Sequence, residues 1–142
     1  MSRQIILHVE DDDNDALLFR MAARRAKLDV IVHRAMDGES ALHYLAAHAS
    51  SAERVPPPFP DLVLLDLKLP LLDGLSVLKV IRSQPETADL PVFILTASNL
   101  PEDVQMASAL GADAYFVKCP AFEEAIQAIQ AIQSRCRVAV EA

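Results

Sequence analysis

Asp66 closes an apolar run, Leu62-Val63-Leu64-Leu65, and Pro70 with Asp73-Gly74 forces a turn before a helical pattern starts at Leu75. A run apolar on both sides reads as a strand buried on both faces of a parallel sheet. A carboxylate at the end of such a strand costs free energy unless something pairs with it. Other apolar runs also end in pointed residue types: Glu10-Asp11 after Ile5–Val9, Thr96 after Val92–Leu95, and Lys118 after Ala114–Val117. In a parallel sheet these ends share one edge, so three carboxylates, a hydroxyl and an ammonium surround one crevice. Two unit charges ~4 Å apart repel by about 4 kcal/mol at an effective dielectric near 20. Glu10, Asp11 and Asp66 can relieve that by sharing protons or by binding a divalent cation. Oxygen ligands without Cys or His suit Mg2+ or Mn2+ better than Zn2+. Magnesium keeps several waters and accepts phosphate oxygens, so the set suits a phosphoryl group. Lys118 and the Thr96 hydroxyl supply the remaining positive charge and hydrogen bond.

The elements that must position these groups follow from periodicity. Ile5–Val9 reads as the first strand, and the pattern from Ala16 to Lys27 is helical, with Leu18, Met21, Ala22 and Arg25 on one side and Asp13 or Asn14 as N-cap. Val30–Ala35 is a second strand, and Glu39–His48 a second helix with Leu42 and Leu45 inward. The connection from Ala49 to Pro60 carries Pro56-Pro57-Pro58 and reads as a semi-rigid spacer at the amino end of the sheet. A third helix spans Leu75–Ser83, and Pro91 opens the fourth strand. Pro101 suits the first turn of a fourth helix and Gly111 its C′ position. After the fifth strand, a last helix fills most of the span from Ala121 to Arg137. There Ala-Ile-Gln occurs three times, and Ile126, Ile129 and Ile132 sweep a stripe that serves core contact and, at its edge, self-association. Five strands alternating with five helices predict a doubly wound α/β domain over residues 1–142, with no second domain.

Composition narrows the class of function. At 142 residues, 52% hydrophobic and 23% charged, the chain has the makeup of one ordinary globular domain. A formal net charge of −7 argues against non-specific nucleic-acid binding, and the basic cluster Arg24-Arg25-Lys27 suits a helix C-terminus. No apolar run approaches the ~20 residues that cross a bilayer, and no signal peptide is evident, so a cytoplasmic protein without membrane partners is expected. Cys119 and Cys136 lack metal-ligand spacing and read as reduced thiols.

Each residue has a plainer reading when taken alone. Lys118 is then a strand-end lysine, Thr96 a helix-start residue and Glu10-Asp11 an acidic helix start. Asp12, Asp13 and Asp15 read as that acidic start and nothing more. Tyr115 reads as core, His8 as a core or boundary histidine, and His43 and His48 as solvated, being off the i,i+4 spacing of a helical metal pair. It is the set that points to chemistry.

That set resembles a response-regulator receiver domain: Val9-Glu10-Asp11, Leu65-Asp66 followed by Pro70 and Asp73-Gly74, Leu95-Thr96-Ala97, and Gly111-Ala112 through Tyr115 to Lys118. The resemblance covers nearly the whole chain in order and implies a flavodoxin-like sheet of strand order 2-1-3-4-5. It implies that Asp66 accepts a phosphoryl group from a phosphohistidine on a sensor histidine kinase or phosphotransfer protein. Asp11, Asp66 and the backbone carbonyl of Lys68 would hold Mg2+, with Mn2+ as a substitute and Glu10 acting through water. Lys118 would pair with the phosphoryl group, Thr96 would bond it, Tyr115 would follow Thr96 inward, Ala97 would leave room, and the Lys68 side chain would modulate the lifetime. The proline-bearing connection, and Cys119 standing where the family commonly has Pro, are similar to small stand-alone regulators partnered with bacterial phytochrome-type kinases. The implied output is a partner or homodimer contact on the fourth helix, fifth strand and last helix. Two other functional classes compete with this non-enzymatic switch. One is a Mg2+-dependent phosphatase with an aspartate nucleophile, whose usual Asp-x-Asp on the first strand is not matched here; the other is a receiver-like binding module that is never phosphorylated.

Overall fold

The computed structural model describes residues 4–49, 58–118, 123, 125–127, 129 and 130. The elements alternate as expected: β1 (Gln4–Val9), α1 (Asp13–Arg25), β2 (Val30–Ala35), α2 (Gly38–Ala49), β3 (Leu62–Leu65), α3 (Gly74–Ser83), β4 (Val92–Thr96), α4 (Pro101–Ala109) and β5 (Ala114–Val117). Residues 123, 125–127, 129 and 130 are helical. The strands form one sheet of order β2-β1-β3-β4-β5, and each neighbouring pair is parallel.

Strand alternation divides the core in two. Leu7, Val9, Val63, Leu65, Val92 and Ile94 face α2 and α3, where Leu45, Val77, Leu78 and Ile81 meet them. Ile6, Leu62, Leu64, Phe93 and Leu95 face the other way, onto Phe19 and Ala23 of α1 and onto Ala125, Ile126 and Ile129. The first and second isoleucines of the Ala-Ile-Gln repeat are therefore core residues; Ile132 lies outside the described residues, as do Cys119, Cys136 and the peptide joining Lys118 to Cys119.

The helix ends correct the sequence reading in detail. The N-cap of α1 is Asp12, not Asp13 or Asn14: its side chain accepts from the Asp15 N–H at 2.9 Å. In a run of five Asx residues every candidate carries a capping oxygen, so residue type does not choose among them. The buried face of α1 is Ala16, Phe19 and Ala23, whereas Leu18 and Met21 are exposed. The helix also stops at Arg25, short of Lys27. Lys27 takes φ 54°, its N–H donates to Arg24 O, and Leu28 N–H donates to Ala23 O, which is a Schellman close.

The proline-bearing connection returns as expected at the amino end of the sheet. Asp61 Oδ2 accepts from Ile5 N at 2.7 Å, and Asp61 N donates to Ile5 O at 2.8 Å. Tyr44 Oη donates to Pro58 O at 2.8 Å. Residues 50–57, with Pro56 and Pro57, lie outside the described residues.

Candidate functional site

The strand order reverses between β1 and β3, which places a crevice at their carboxyl ends. Val9 pairs with Leu65, and the ladder runs one step further, with Asp66 N–H donating to Val9 O at 3.1 Å and Glu10 N–H to Ala35 O at 2.9 Å. Glu10 and Asp66 therefore leave the sheet in register, and both are buried, at 1% and 4% exposure. Asp11 follows at the exposed rim. Carboxylate oxygens of Glu10, Asp11 and Asp66 all lie within 4.8 Å of one another. Three convergent oxygen donors without sulfur or imidazole fit a hard divalent cation.

The Asp66 carboxylate is held at both oxygens. Oδ1 accepts from the Lys68 N–H at 3.1 Å, and Oδ2 from Lys118 Nζ at 2.7 Å. The loop behind it is drawn tight by Gly74 N–H donating to Leu67 O at 3.0 Å, while Asp73 caps α3 by accepting from Ser76 N–H. A Cβ on Gly74 would collide with the Asp66 carbonyl oxygen, so glycine is required there by close approach.

Lys118 follows β5, and its N–H donates to Thr96 O at 2.8 Å, which continues the β4–β5 ladder to the crevice. Its ammonium lies 2.7 Å from each of Glu10 Oε1, Asp15 Oδ2 and Asp66 Oδ2. Burial alone would lower the Lys118 pKa; the hydrogen bonds that its ammonium donates to Asp15, Asp66 and Glu10 outweigh it and hold the ammonium firmly protonated. For Glu10 burial wins: its pKa rises to about 7 despite Lys118, and the nearby Asp66 charge adds to the rise.

Thr96 ends β4 fully buried, and its hydroxyl has no hydrogen-bond partner among the described residues. A buried hydroxyl left unpaired carries a cost that a ligand oxygen could relieve. Ala97 and the Lys68 side chain are exposed, and half-buried Tyr115 donates from Oη to Ser98 O at 2.9 Å. His8 is buried against the Phe19 ring, with centroids 5.0 Å apart. His43 is exposed; the His48 side chain lies outside the described residues.

Two residues joined to this cluster escaped the sequence reading. Asp15 is a direct Lys118 partner rather than plain acidic helix start. Arg34, at the end of β2, donates from Nε to Glu10 O at 2.9 Å and pairs through Nη1 with Asp13 at 2.7 Å. The signal for Arg34 was a charged residue near the end of a strand that opens with three apolar residues, Val30-Ile31-Val32; Asp15 had none beyond its charge.

With the crevice described, the class follows: the chain belongs to the response regulator receiver domain family, whose model matches residues 6–130. Response regulator Rcp1 of Synechocystis sp. is 31% identical over 131 residues, which span 92% of this chain and 87% of that protein. The crystal structure of the phosphorylated cyanobacterial phytochrome response regulator RcpA superposes with a TM-score of 0.77 at 30% identity, covering 93% of this chain and 92% of that one. The Mn2+-bound form of Rcp1 gives a TM-score of 0.75 at 30% identity, covering 92% of each. Among the described residues no helix is long and apolar enough to cross a membrane.

Proposed function

We propose that this chain is a phosphorylation switch: a response-regulator receiver domain that receives a phosphoryl group on Asp66 from the phosphohistidine of a sensor histidine kinase or phosphotransfer protein. The observation that carries the reading is the Lys118 ammonium 2.7 Å from Asp66 Oδ2, inside a cluster that also brings in Glu10 and Asp11. An Asp66 oxygen attacks phosphorus, a P–O bond forms as the P–N bond breaks, and the nitrogen keeps the electron pair. Mg2+ held by Asp11, Asp66 and the Lys68 carbonyl, with Glu10 through water and Mn2+ as substitute, would neutralise charge on the phosphoryl oxygens. The Mn2+-bound Rcp1 relative supports that choice of ion. Lys118 then bonds one phosphoryl oxygen and the unpaired Thr96 hydroxyl a second, while exposed Ala97 leaves the approach open.

The output is a population shift in the loops after β4 and β5. Thr96, drawn to the phosphoryl group, carries the Ser98 carbonyl that Tyr115 bonds, and so biases the face of α4, β5 and the last helix toward a partner or a second copy. Exposed Lys68 tunes the lifetime of the acyl phosphate, and self-dephosphorylation is slow. Bacterial phytochromes are the kinase class favoured by the relatives, in a cytoplasmic complex. Labelling with a radioactive phosphoryl donor tests the reading: the parent incorporates phosphate only with Mg2+ or Mn2+, and Asp66→Asn incorporates none. Labelling of Asp66→Asn equal to the parent, or steady turnover of a phosphomonoester, would remove it in favour of a different acceptor or a phosphatase.

A further inference from the structure

We infer that Asp15 is a positioning residue of the phosphoryl-transfer site: it acts through Lys118, and among the described residues it is the one Lys118 carboxylate partner that a bound cation leaves free. The inference rests on the phosphoacceptor reading above and assigns a part to a residue outside the set that resemblance supplies. An ammonium has three protons, and here three carboxylates, Glu10, Asp15 and Asp66, each lie 2.7 Å from it. Two of the three, Glu10 and Asp66, also belong to the cluster that fits a divalent cation, and Asp15 does not. Charge that Glu10 and Asp66 share with a cation is withdrawn from Lys118. Asp15 then remains as the anchor that keeps the ammonium over Asp66 while a phosphoryl group arrives.

The first turn of α1 sets Asp15 in place for this. Its N–H is held by Asp12 Oδ1 at 2.9 Å, which makes it the third residue of the helix. In a capping box the side chain at that position turns back to the N–H of the cap residue. Here Glu10 Oε2 accepts from Asp12 N–H at 3.2 Å, so the Asp15 carboxylate is released and reaches across 103 residues to Lys118. Glu10 thus performs the return half of a capping box from outside the helix, and the freed carboxylate becomes part of the site. Its partial exposure keeps its desolvation cost below that of the two buried partners.

The test uses the full chain in four forms: parent, Asp15→Asn, Lys118→Ala and the double variant. With acetyl phosphate at saturating Mg2+, Asp15→Asn labels on the order of tenfold more slowly than the parent, the scale of a small misplacement of a catalytic cation. In the Lys118→Ala background Asp15→Asn adds no further loss. A second measurement needs no phosphoryl donor: the Lys118 ammonium gives a protected side-chain NMR signal in the Mg2+-loaded parent, and Asp15→Asn abolishes it. Equal labelling of Asp15→Asn and parent, an equal loss in both backgrounds, or an unchanged ammonium signal overturns the inference. Should Lys118→Ala label too little to measure, the ammonium signal decides. Should the parent fail to label at all, the phosphoacceptor reading falls, while that signal still reports whether Asp15 holds Lys118.

Discussion

Tyr115 Oη donates a 2.9 Å hydrogen bond to the carbonyl oxygen of Ser98, which ties β5 to the loop between β4 and α4. The same serine donates from Oγ to Asp103 Oδ2 in the first turn of α4 and accepts from Leu100 N–H at 3.3 Å. The loop that leaves Thr96 is thus pinned at one residue by both the neighbouring strand and the following helix. Tyr115→Phe keeps the packed ring and removes one bond, so stability should fall by about 1 kcal/mol. Phosphate labelling should persist, since no partner of Asp66 is touched. Sedimentation with and without beryllofluoride should show the response of the parent in self-association or partner binding weakened in the variant. An undiminished response would show that the Ser98 bond is not part of the switch.

The contrast between Gly111 and Lys27 shows what the chain discloses in its sequence. Gly111 has φ 98° after α4, with its N–H donating to Ser108 O and Ala112 N–H to Ala107 O. Lys27 performs the same closing step after α1 with the same pair of bonds. Glycine announces a left-handed residue because it lacks the Cβ that makes it costly; a lysine there announces nothing, so the pattern carries the C-terminal end of α1 two residues too far. The parallel doubly wound sheet and its functional edge were legible because apolar runs and short connections leave few topologies, whereas the strand order came only with the family resemblance. The crevice was legible because each of its charged groups ends a strand. Asp15 was not, because its partner is chosen by how Glu10 and Asp12 divide the cap, which is a matter of side-chain geometry. Leu18 and Met21 misled for a different reason: apolar residues lie on both sides of α1, and only packing against the sheet selects Phe19.

His8 and Glu10, two residues apart along β1 and its extension, should pull the pH dependence of stability in opposite directions. Burial, with Lys118 and Arg34 adding to it, lowers the His8 pKa from 6.5 to about 3. Burial raises that of Glu10 from 4.5 to about 7. Stability rises with pH wherever the unfolded chain binds more protons than the folded one. Unfolded His8 is protonated below 6.5 while folded His8 stays neutral down to about 3, so its term rises with pH across that window. Folded Glu10 keeps a proton up to about 7 that the unfolded chain has released by 4.5, so its term falls with pH. The two oppose each other between 4.5 and 6.5. Urea midpoints in a chelating buffer should fall with pH in His8→Leu and rise with pH in Glu10→Gln, relative to the parent. Parallel curves for all three would mean that neither group titrates as its burial demands.

Gly74→Ala should damage fold and site together. The added methyl would meet the Asp66 carbonyl oxygen and stand 2.6 Å from Leu67 Cα, and both are backbone that cannot rotate aside. Overpacking of this kind costs about 1–3 kcal/mol. Because the strained contact lies on the acceptor residue itself, the rate of phosphate labelling should drop under conditions where the variant is still folded. A normal labelling rate in a destabilised protein would place the relaxation in α3 instead.

Arg82 closes the opposite end of the sheet, and its loss should separate stability from chemistry. Its Nε and Nη2 donate to Gly111 O at 3.0 and 2.9 Å, and Nη1 to Ala88 O and Leu90 O at 3.0 and 2.7 Å. Nη2 also pairs with Asp113 Oδ2 at 2.9 Å, whose same oxygen accepts from Val92 N–H at the start of β4. One planar guanidinium thereby joins the loop after α3 to the turn after α4. Arg82→Lys keeps the charge but presents a single point donor group in place of the fork. A hydrogen bond from a charged group contributes about 1.5–3 kcal/mol net, and bonds that share one guanidinium do not add. Both Arg82→Lys and Arg82→Ala should therefore lose on the order of 2 kcal/mol in chemical denaturation, with the lysine recovering only a minor part. Labelling of the folded fraction should match the parent, since these contacts lie at the amino end of β4 and the acceptor crevice at the carboxyl end. Full recovery by lysine would mean that charge alone, and not the fork, holds the two loops.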